Sequence, residues 1–155
     1  MPNTYSQIYI HLVFAVKHRD RLLPATHKEE IHKYITGICK KNATKLIAIN
    51  SVSNHIHILI GMNPVIALSD LVRDIKSSST VFINEKGFVR GKFSWQEGYG
   101  AFSNGHSQLG GVVKYIENQE KHHARKSFKD EYLDMLKKWD VAYADKYLFD
   151  FDGIE

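Results

Sequence analysis

Two histidines separated by one isoleucine, His55-Ile56-His57, are the side chains of this sequence best suited to chemistry. They open an apolar run that continues to Ile60, a pattern typical of a buried β-strand. Alternate residues of a strand point to the same face, and each residue advances the chain by about 3.3 Å, so the two imidazoles emerge on one side roughly 6.6 Å apart. The spacing therefore predicts that both rings can converge on one ion.

A second group of polar side chains follows on a predicted helix over residues 107–126. Tyr115 and Gln119 are four residues apart and therefore lie one turn apart on the same side, and His122 continues that line. Each motif also has an ordinary interpretation, because paired histidines on a strand are often half-buried polar residues and a helical tyrosine usually serves packing. The sequence pattern alone leaves both interpretations open.

The elements that must position these residues follow from hydrophobic periodicity. Strands are predicted at 5–16, 45–52, 55–61 and in short pieces at 93–95 and 99–102, and helices at 24–42, 66–86, 107–126 and 127–138. Ser53-Asn54 joins two strands as a tight hairpin, Ser69 is the expected N-cap of the second helix, and an aromatic tail from Tyr143 to Phe151 is expected to pack on the domain. This order predicts an α+β, ferredoxin-like (split βαβ) antiparallel sheet with helices on one face, plus a C-terminal helix carrying Tyr115.

Length and composition bound the class of protein. The 155 residues, with 43% hydrophobic residues, suffice for one core, and we expect a single domain over 1–155. Cys39 is the only cysteine, which excludes an intrachain disulfide and a cysteine-based zinc cluster. No leader peptide or apolar run of membrane-spanning length is apparent, so we expect a cytoplasmic protein.

Charge is distributed unevenly along the chain. From Asp130 onwards there are eight acidic residues and three lysines, so the first 129 residues hold 18 basic and nine acidic groups, a net charge of +9. Such an excess favours a polyanionic partner, because each phosphate that a cation neutralises releases condensed counterions. A merely solvated basic surface would give the same count.

Taken together, these residues resemble a known family, the single-tyrosine HUH transposases of the insertion sequence 200/605 type and their REP-associated relatives. His55-Ile56-His57 matches the His-hydrophobic-His motif, and Tyr115-Ile116-Glu117-Asn118-Gln119 is similar to the nucleophile helix. His11-Leu12-Val13-Phe14 with the basic turn Lys17-His18-Arg19, and Trp95-Gln96-Glu97-Gly98-Tyr99, resemble the first and last strands. The resemblance spans nearly the whole chain.

The resemblance implies a metal-dependent endonuclease and strand transferase that acts on single-stranded DNA at hairpin-marked ends. Tyr115 would be the nucleophile and form a 5′-phosphotyrosine, while His55, His57 and Gln119 would bind Mg²⁺ or Mn²⁺. It also implies a homodimer with composite active sites, in which the helix of Tyr115 swings on a glycine hinge (Gly105, Gly110, Gly111), and a prokaryotic, nucleoid-associated location when DNA is bound.

Contacts to DNA are predicted from the basic residues. Lys17, Arg19 and Arg21 form a basic turn suited to phosphates, and Lys76, Arg90 and Lys92 are expected to extend it. Two other functions fit parts of the pattern: a non-catalytic single-stranded DNA- or RNA-binding module with the same strand and helix order, and a metal-dependent hydrolase that leaves no covalent product. Neither the paired histidines nor the tyrosine helix is needed by the binding module.

Overall fold

A computed structural model of the protein describes residues 3–155, apart from the side chain of Arg19. The strands and helices, in chain order, are β1 (Tyr9–Ala15), α1 (Lys28–Lys41), β2 (Lys45–Ser51), β3 (His55–Gly61), α2 (Leu68–Lys86), β4 (Gly100–Asn104), α3 (Leu109–Glu117), α4 (Gln119–His123) and α5 (Phe128–Lys138). Short 3₁₀ turns lie at Arg19–Arg21, Ala25–His27, His106–Gln108 and Asp145–Tyr147. Among the described residues, no helix is long and apolar enough to cross a membrane.

The four strands form one antiparallel sheet with the order β2-β3-β1-β4. This is the strand order of the ferredoxin-like split unit, and the predicted α+β class is confirmed. Some predicted boundaries were wrong. The first strand begins at Tyr9, four residues later than expected, and Trp95 forms only an isolated bridge with Val16. The second helix has Ala67, not Ser69, at its N-cap.

The strict alternation of β3 divides its side chains between two faces of the sheet. Ile56, Ile58 and Ile60 point into the main core, where they pack with apolar residues of α1 and α2. His55, His57 and Leu59 point to the opposite face, where Leu59 packs with Ile116 of α3. Helices α1 and α2 thus lie on the face of the three isoleucines, and the C-terminal helices α3, α4 and α5 cover the face that carries the two histidines.

The helix predicted over 107–126 is broken at Asn118 into α3 and α4. Asn118 leaves helical geometry (φ −95°, ψ 19°), and the last carbonyls of α3 are satisfied from outside the helix. The side-chain amide of Asn50 on β2 donates to the carbonyl oxygens of Ile116 (2.8 Å) and Glu117 (3.2 Å). The break therefore anchors the end of α3 to the sheet, directly beside Gln119.

Helix α5 closes the site face. It begins after Ser127, whose hydroxyl accepts a hydrogen bond from the backbone N–H of Asp130 at 3.1 Å, the usual role of an N-cap serine. Its first residue, Phe128, is buried and contacts Phe149 and Phe151 of the C-terminal tail. The expected packing of this tail is confirmed for those two phenylalanines, whereas Tyr143 and Tyr147 are exposed.

A half-buried histidine outside the site predicts a pH dependence of stability. The Nε2 of His32 on α1 lies 2.8 Å from the hydroxyl of Ser51, and burial, with the charge of Lys28 second, lowers the pKa of His32 to about 4. The unfolded chain titrates this ring at about 6.5, so between these values only the unfolded state binds the proton, and stability falls as the pH drops through this window. We expect His32→Gln to lose less unfolding free energy than the wild type between roughly pH 7.5 and 4.5, as measured by urea denaturation. Equal losses in both proteins would contradict the assignment.

Candidate active site

A contact with Asn54 fixes the orientation of the His55 ring, so that Nε2 faces the site. Its Nδ1 lies 2.7 Å from the side-chain oxygen of Asn54, and the amide nitrogen of Asn54 donates to the carbonyl of Ile154 at 3.1 Å. An amide oxygen can only accept, so Nδ1 of His55 must carry the proton and donate. In the neutral ring, Nε2 then presents its lone pair, which is the form that binds a metal ion.

His57 is oriented by a third histidine that the sequence analysis did not assign to the site. The Nε2 of His11 on β1 lies 2.8 Å from Nδ1 of His57, and His11 is only 3% exposed. Burial, followed by the nearby charge of His57, lowers the pKa of His11 well below its usual range, so this ring is neutral at physiological pH. The contact directs Nε2 of His57 toward the same point as Nε2 of His55.

Tyr115 and Gln119 reach this point from α3 and α4. The hydroxyl of Tyr115 donates a hydrogen bond to Oε2 of Glu131, and its ring centroid lies 5.8 Å from that of His57. The side-chain oxygen of Gln119 lies 3.3 Å from Nε2 of His55, and its amide nitrogen donates to Oε2 of Glu131 at 3.0 Å. One chain therefore brings together the four residues that the sequence singled out, without a swing of the helix that carries Tyr115.

Glu131 of α5 lies at the centre of the group and was missed in the sequence analysis. It is 2% exposed, and its Oε1 lies 3.2 Å from Nε2 of both His55 and His57. Phe128, Tyr132 and Met135 define the buried side of α5, and Glu131 falls on that same side three residues after Phe128. A carboxylate within an apolar helical stripe was the signal available in the sequence.

Two further histidines complete the surroundings. The Nε2 of His123 lies 2.9 Å from Oε1 of Glu131 and 3.0 Å from the side-chain oxygen of Gln119. His122 is less enclosed, and its Nε2 lies 3.6 Å from Oε2 of Glu131 with no hydrogen-bond partner among the described residues. The sequence placed His122 beside Tyr115 and Gln119, and in the structure both His122 and His123 lie there. His123 makes the closer contact with Glu131.

Burial sets the ionisation of the group. Burial is the largest influence on His55 and lowers its pKa to about 4, which keeps the ring neutral. Burial alone would raise the pKa of Glu131, but the ring nitrogens of His123, His55 and His57 beside its oxygens hold that pKa well below its usual range, so the carboxylate is ionised. Burial, with the charge of Glu131 second, raises the pKa of the Tyr115 phenol, which stays protonated at neutral pH.

The donor atoms fit a divalent metal ion. Ring nitrogens of His55 and His57 and the amide oxygen of Gln119 converge with an ionised carboxylate oxygen of Glu131. In the neutral ring, the lone pair of His55 Nε2 faces oxygen lone pairs on both Gln119 and Glu131, which is unfavourable unless a positive charge lies between them. Imidazole and carboxylate ligands together suit Mn²⁺ and its neighbours as well as Mg²⁺.

Access to the group is from the side of Tyr115. The rings of His55 and His57 have no exposed surface, because α4 and α5 cover them and Phe128 stacks on His55 with ring centroids 3.8 Å apart. A cavity of about 420 Å³ opens next to Tyr115 and Glu131. Its walls include apolar side chains and two lysines, among them Val112, Met135, Trp139, Lys126 and Lys138. Substrate would therefore meet the phenol and the carboxylate first.

The structure brings together some of the predicted DNA-binding residues. Arg21 donates to the carbonyl of Lys92 at 3.3 Å, and Arg90 and Lys92 are exposed. Lys17 is also exposed in the turn after β1, whereas the side chain of Arg19 lies outside the described part of the chain. Lys76 does not join this group, because its ammonium donates to the carbonyls of Gln96 and Gly98. Arg21, Arg90 and Lys92 are hereafter the basic surface.

Comparisons with known proteins found similar sequences. The sequence profile of the family described as IS200-like transposase matches residues 4–119, a span that contains His55, His57, Tyr115 and Gln119. The ISDra2 transposase TnpA of Deinococcus radiodurans is 24% identical over 118 residues, which cover 73% of this chain and 84% of that protein.

Two solved structures share the fold. A crystal structure from Deinococcus radiodurans R1, described as a transposase, aligns with a TM-score of 0.59 at 21% identity and covers 76% of this chain and 94% of that one. The structure of a REP-associated tyrosine transposase bound to a REP hairpin aligns with a TM-score of 0.58 at 15% identity, over 78% of this chain and 72% of that one. At such identities the structural similarity establishes the fold alone.

Proposed function

Because this chain belongs to the family of IS200-like transposases, we propose that it cleaves and rejoins single-stranded DNA at hairpin-marked ends through a 5′-phosphotyrosine on Tyr115. One observation carries the proposal: the Tyr115 hydroxyl donates to a carboxylate whose other oxygen faces both histidines of the His-Ile-His motif. A packing tyrosine needs only some hydrogen-bond acceptor, whereas this one donates to a carboxylate that also contacts the paired histidines. The structure of a relative bound to a REP hairpin supports hairpin DNA as the substrate class.

His55, His57 and Gln119 are the proposed metal ligands, with Glu131 beside them. A bound Mg²⁺ or Mn²⁺ would supply Lewis acidity toward the negatively charged oxygens of the scissile phosphate. Asn54 and His11 hold the two imidazoles in the orientation that ligation requires. These two residues act through the histidines and are positioning residues.

Tyr115 then attacks phosphorus. A bond forms between its phenolic oxygen and phosphorus, and the bond from phosphorus to the 3′ oxygen breaks, so the products are a 5′-phosphotyrosine and a strand ending in a 3′-hydroxyl. The leaving 3′ oxygen takes up a proton. The phenol must lose its own proton as it attacks, and Oε2 of Glu131 already accepts the hydrogen bond from that hydroxyl. Glu131 is thus the proposed proton acceptor.

Strand joining is the reverse of the same step. The phosphotyrosine keeps the energy of the cleaved linkage, so a 3′-hydroxyl from another strand end can attack it and release Tyr115 without a nucleotide cofactor. This reversibility distinguishes the proposed transposase from a metal-dependent hydrolase, in which water attacks and no protein–DNA bond forms.

The basic surface is the proposed contact for DNA phosphates. Replacing Arg90 and Lys92 together by glutamine is expected to weaken binding of hairpin DNA. Each lost phosphate contact should also reduce the slope of the logarithm of the binding constant against the logarithm of the salt concentration by about 1. Fluorescence anisotropy over a series of salt concentrations measures both quantities. The matched control replaces Lys40 and Lys41, exposed lysines at the far end of α1, with glutamine. Equal weakening by both double variants would place the DNA elsewhere.

The homodimer stays a prediction, whereas for the composite active sites predicted with it we now propose attack within one chain. One chain by itself brings Tyr115 to the histidines, so the arrangement favours attack within one chain. Mixing the Tyr115→Phe and His57→Ala variants separates the two cases, because each chain lacks a different part of the site. We expect the mixture to remain inactive after subunit exchange. Recovery of cleavage would instead establish that Tyr115 acts on the histidines of a second chain.

The test of the proposed function is a covalent adduct. The protein is incubated with Mn²⁺ or Mg²⁺ and single strands that carry a hairpin and a label on one end, then denatured and separated by electrophoresis. The label is expected to migrate with the protein when it lies 3′ of the cleavage site and as a shortened free strand when it lies 5′ of it. Binding of the same DNA without any adduct would favour the non-catalytic binding module.

A further inference from the structure

We propose that His123 and Glu131, which lie beyond the matched residues 4–119, bind the same cation as His55 and His57. The inference rests on the proposed function only in requiring that a cation binds. One ligand atom from each of the four residues lies within 4.8 Å of the others. Helices α4 and α5 would thus add a nitrogen and a carboxylate oxygen to the site on the sheet.

The distances around Glu131 are those of neighbouring ligands on one ion. Its Oε1 lies 3.2 Å from Nε2 of His55, 3.2 Å from Nε2 of His57 and 2.9 Å from Nε2 of His123. Ligand atoms that bind one ion at about 2.1 Å and at right angles are separated by about 3.0 Å. A carboxylate placed for an ordinary salt bridge needs one such partner, whereas this oxygen has three.

His123 shows the same fixed orientation as His55. Its Nδ1 lies 2.7 Å from the backbone carbonyl oxygen of Lys126, and a carbonyl can only accept, so Nδ1 carries the proton. The Nε2 lone pair of the neutral ring then points at Oε1 of Glu131 and at the side-chain oxygen of Gln119. The amide of Gln119 is fixed in turn, because its nitrogen donates to Oε2 of Glu131.

Nitrogen lone pairs of two rings therefore face the same pair of oxygens, Oε1 of Glu131 and the side-chain oxygen of Gln119. A positive charge between these atoms relieves the repulsion of their lone pairs. The ring centroids of His55 and His123 are 4.6 Å apart, so one divalent cation can contact both rings.

The proposed ligand set also predicts which cation is preferred. Three imidazole nitrogens and one carboxylate are softer than the all-oxygen set that Mg²⁺ prefers, so Mn²⁺ should bind more tightly than Mg²⁺. Mg²⁺ added at the same concentration as Mn²⁺ should then fail to displace it. This expectation concerns binding alone and is measured without DNA.

The experiment is a calorimetric titration of the full-length protein with Mn²⁺, for the wild type and two matched pairs of variants. Glu131→Gln is paired with Glu120→Gln, because Glu120 is an exposed α4 carboxylate that pairs with Lys28. His123→Ala is paired with His106→Ala, because His106 is an exposed histidine in the turn before α3. The visible absorption spectrum of bound Co²⁺ gives a second readout, because it reports the number and type of ligands.

We expect Glu131→Gln and His123→Ala to weaken Mn²⁺ binding by about 100-fold or more, since loss of an outer-shell partner alone costs about 10- to 100-fold. Both should alter the Co²⁺ spectrum, and both control variants should leave affinity and spectrum as in the wild type. The inference is overturned if the wild type binds no Mn²⁺, or if His123→Ala and Glu131→Gln bind it as the wild type does. His123 is partly exposed, so its variant tests the inference even if Glu131→Gln fails to fold.

These outcomes are separable from those of the proposed function. If the wild type binds Mn²⁺ through all four residues but forms no adduct on hairpin DNA, the proposed metal site stands and the proposed transposition chemistry is refuted. If the wild type forms the adduct while Glu131→Gln and His123→Ala keep full Mn²⁺ affinity, the proposed chemistry stands. The proposal that Glu131 and His123 are additional metal ligands is then refuted.

Discussion

Replacing Tyr115 with phenylalanine is expected to abolish the covalent adduct and to reduce DNA cleavage by about 10⁴-fold or more, the scale of loss when an enzyme loses its nucleophile. Phenylalanine keeps the ring and its packing but has no oxygen to attack phosphorus. Binding of hairpin DNA should be almost unchanged, because the basic surface is untouched. Glu131 keeps its contact with the Gln119 amide, so the variant is expected to fold.

The matched control for this variant is Tyr147→Phe, since Tyr147 is 81% exposed on the C-terminal tail. It should form the adduct at the rate of the wild type. Gel electrophoresis under denaturing conditions measures the adduct and anisotropy measures binding. An adduct of normal yield in Tyr115→Phe would contradict the assignment of the nucleophile.

Replacing His57 with alanine is expected to lower cleavage by about 1,000-fold or more, because a bound cation contributes several kcal/mol of transition-state stabilisation and each 1.4 kcal/mol or so is tenfold in rate. The substitution removes a proposed ligand and the partner of His11. It leaves the exposed cations of the basic surface in place, so DNA binding should persist. Single-turnover cleavage at saturating Mn²⁺ measures the effect.

The control for His57→Ala is His106→Ala, in the exposed turn before α3. The structure predicts that it cleaves like the wild type. Circular dichroism and a urea midpoint establish that His57→Ala is folded before its rate is interpreted, because the replaced ring is fully buried. A folded His57→Ala protein that cleaves at the normal rate would exclude a role for this histidine in the reaction.

Local rules of chain geometry were enough to predict much of the site. Strand alternation placed His55 and His57 on one face, and helical spacing placed Tyr115 one turn before Gln119. The contact between Gln119 and the backbone of Tyr115 survives the break at Asn118, with the amide nitrogen 3.4 Å from the Tyr115 carbonyl. The predicted convergence of these four residues therefore holds in the structure.

Features that depend on distant contacts were missed. No proline or glycine marks the break between α3 and α4 in the sequence. The break is stabilised by the hydrogen bond from Asn50 to the carbonyl of Ile116, a residue 66 positions away in the chain. Glu131 follows Asp130 in the first turn of α5, where acidic residues are common because they stabilise the N-terminus of a helix. Only its place on the buried side of α5 distinguishes it. His11, likewise, is an unremarkable strand residue until β1 pairs with β3.

The most direct test of the account is to locate the DNA on the protein. Trypsin cleaves after Lys114 and Lys121, so the peptide 115–121 contains Tyr115 as its single tyrosine and has no serine or threonine. After cleavage of a hairpin substrate with Mn²⁺, nuclease digestion and mass spectrometry, we expect this peptide to carry the mass of a 5′-linked nucleotide. A nucleotide found on any other peptide, or a reaction that leaves every peptide unmodified, would contradict the central claim.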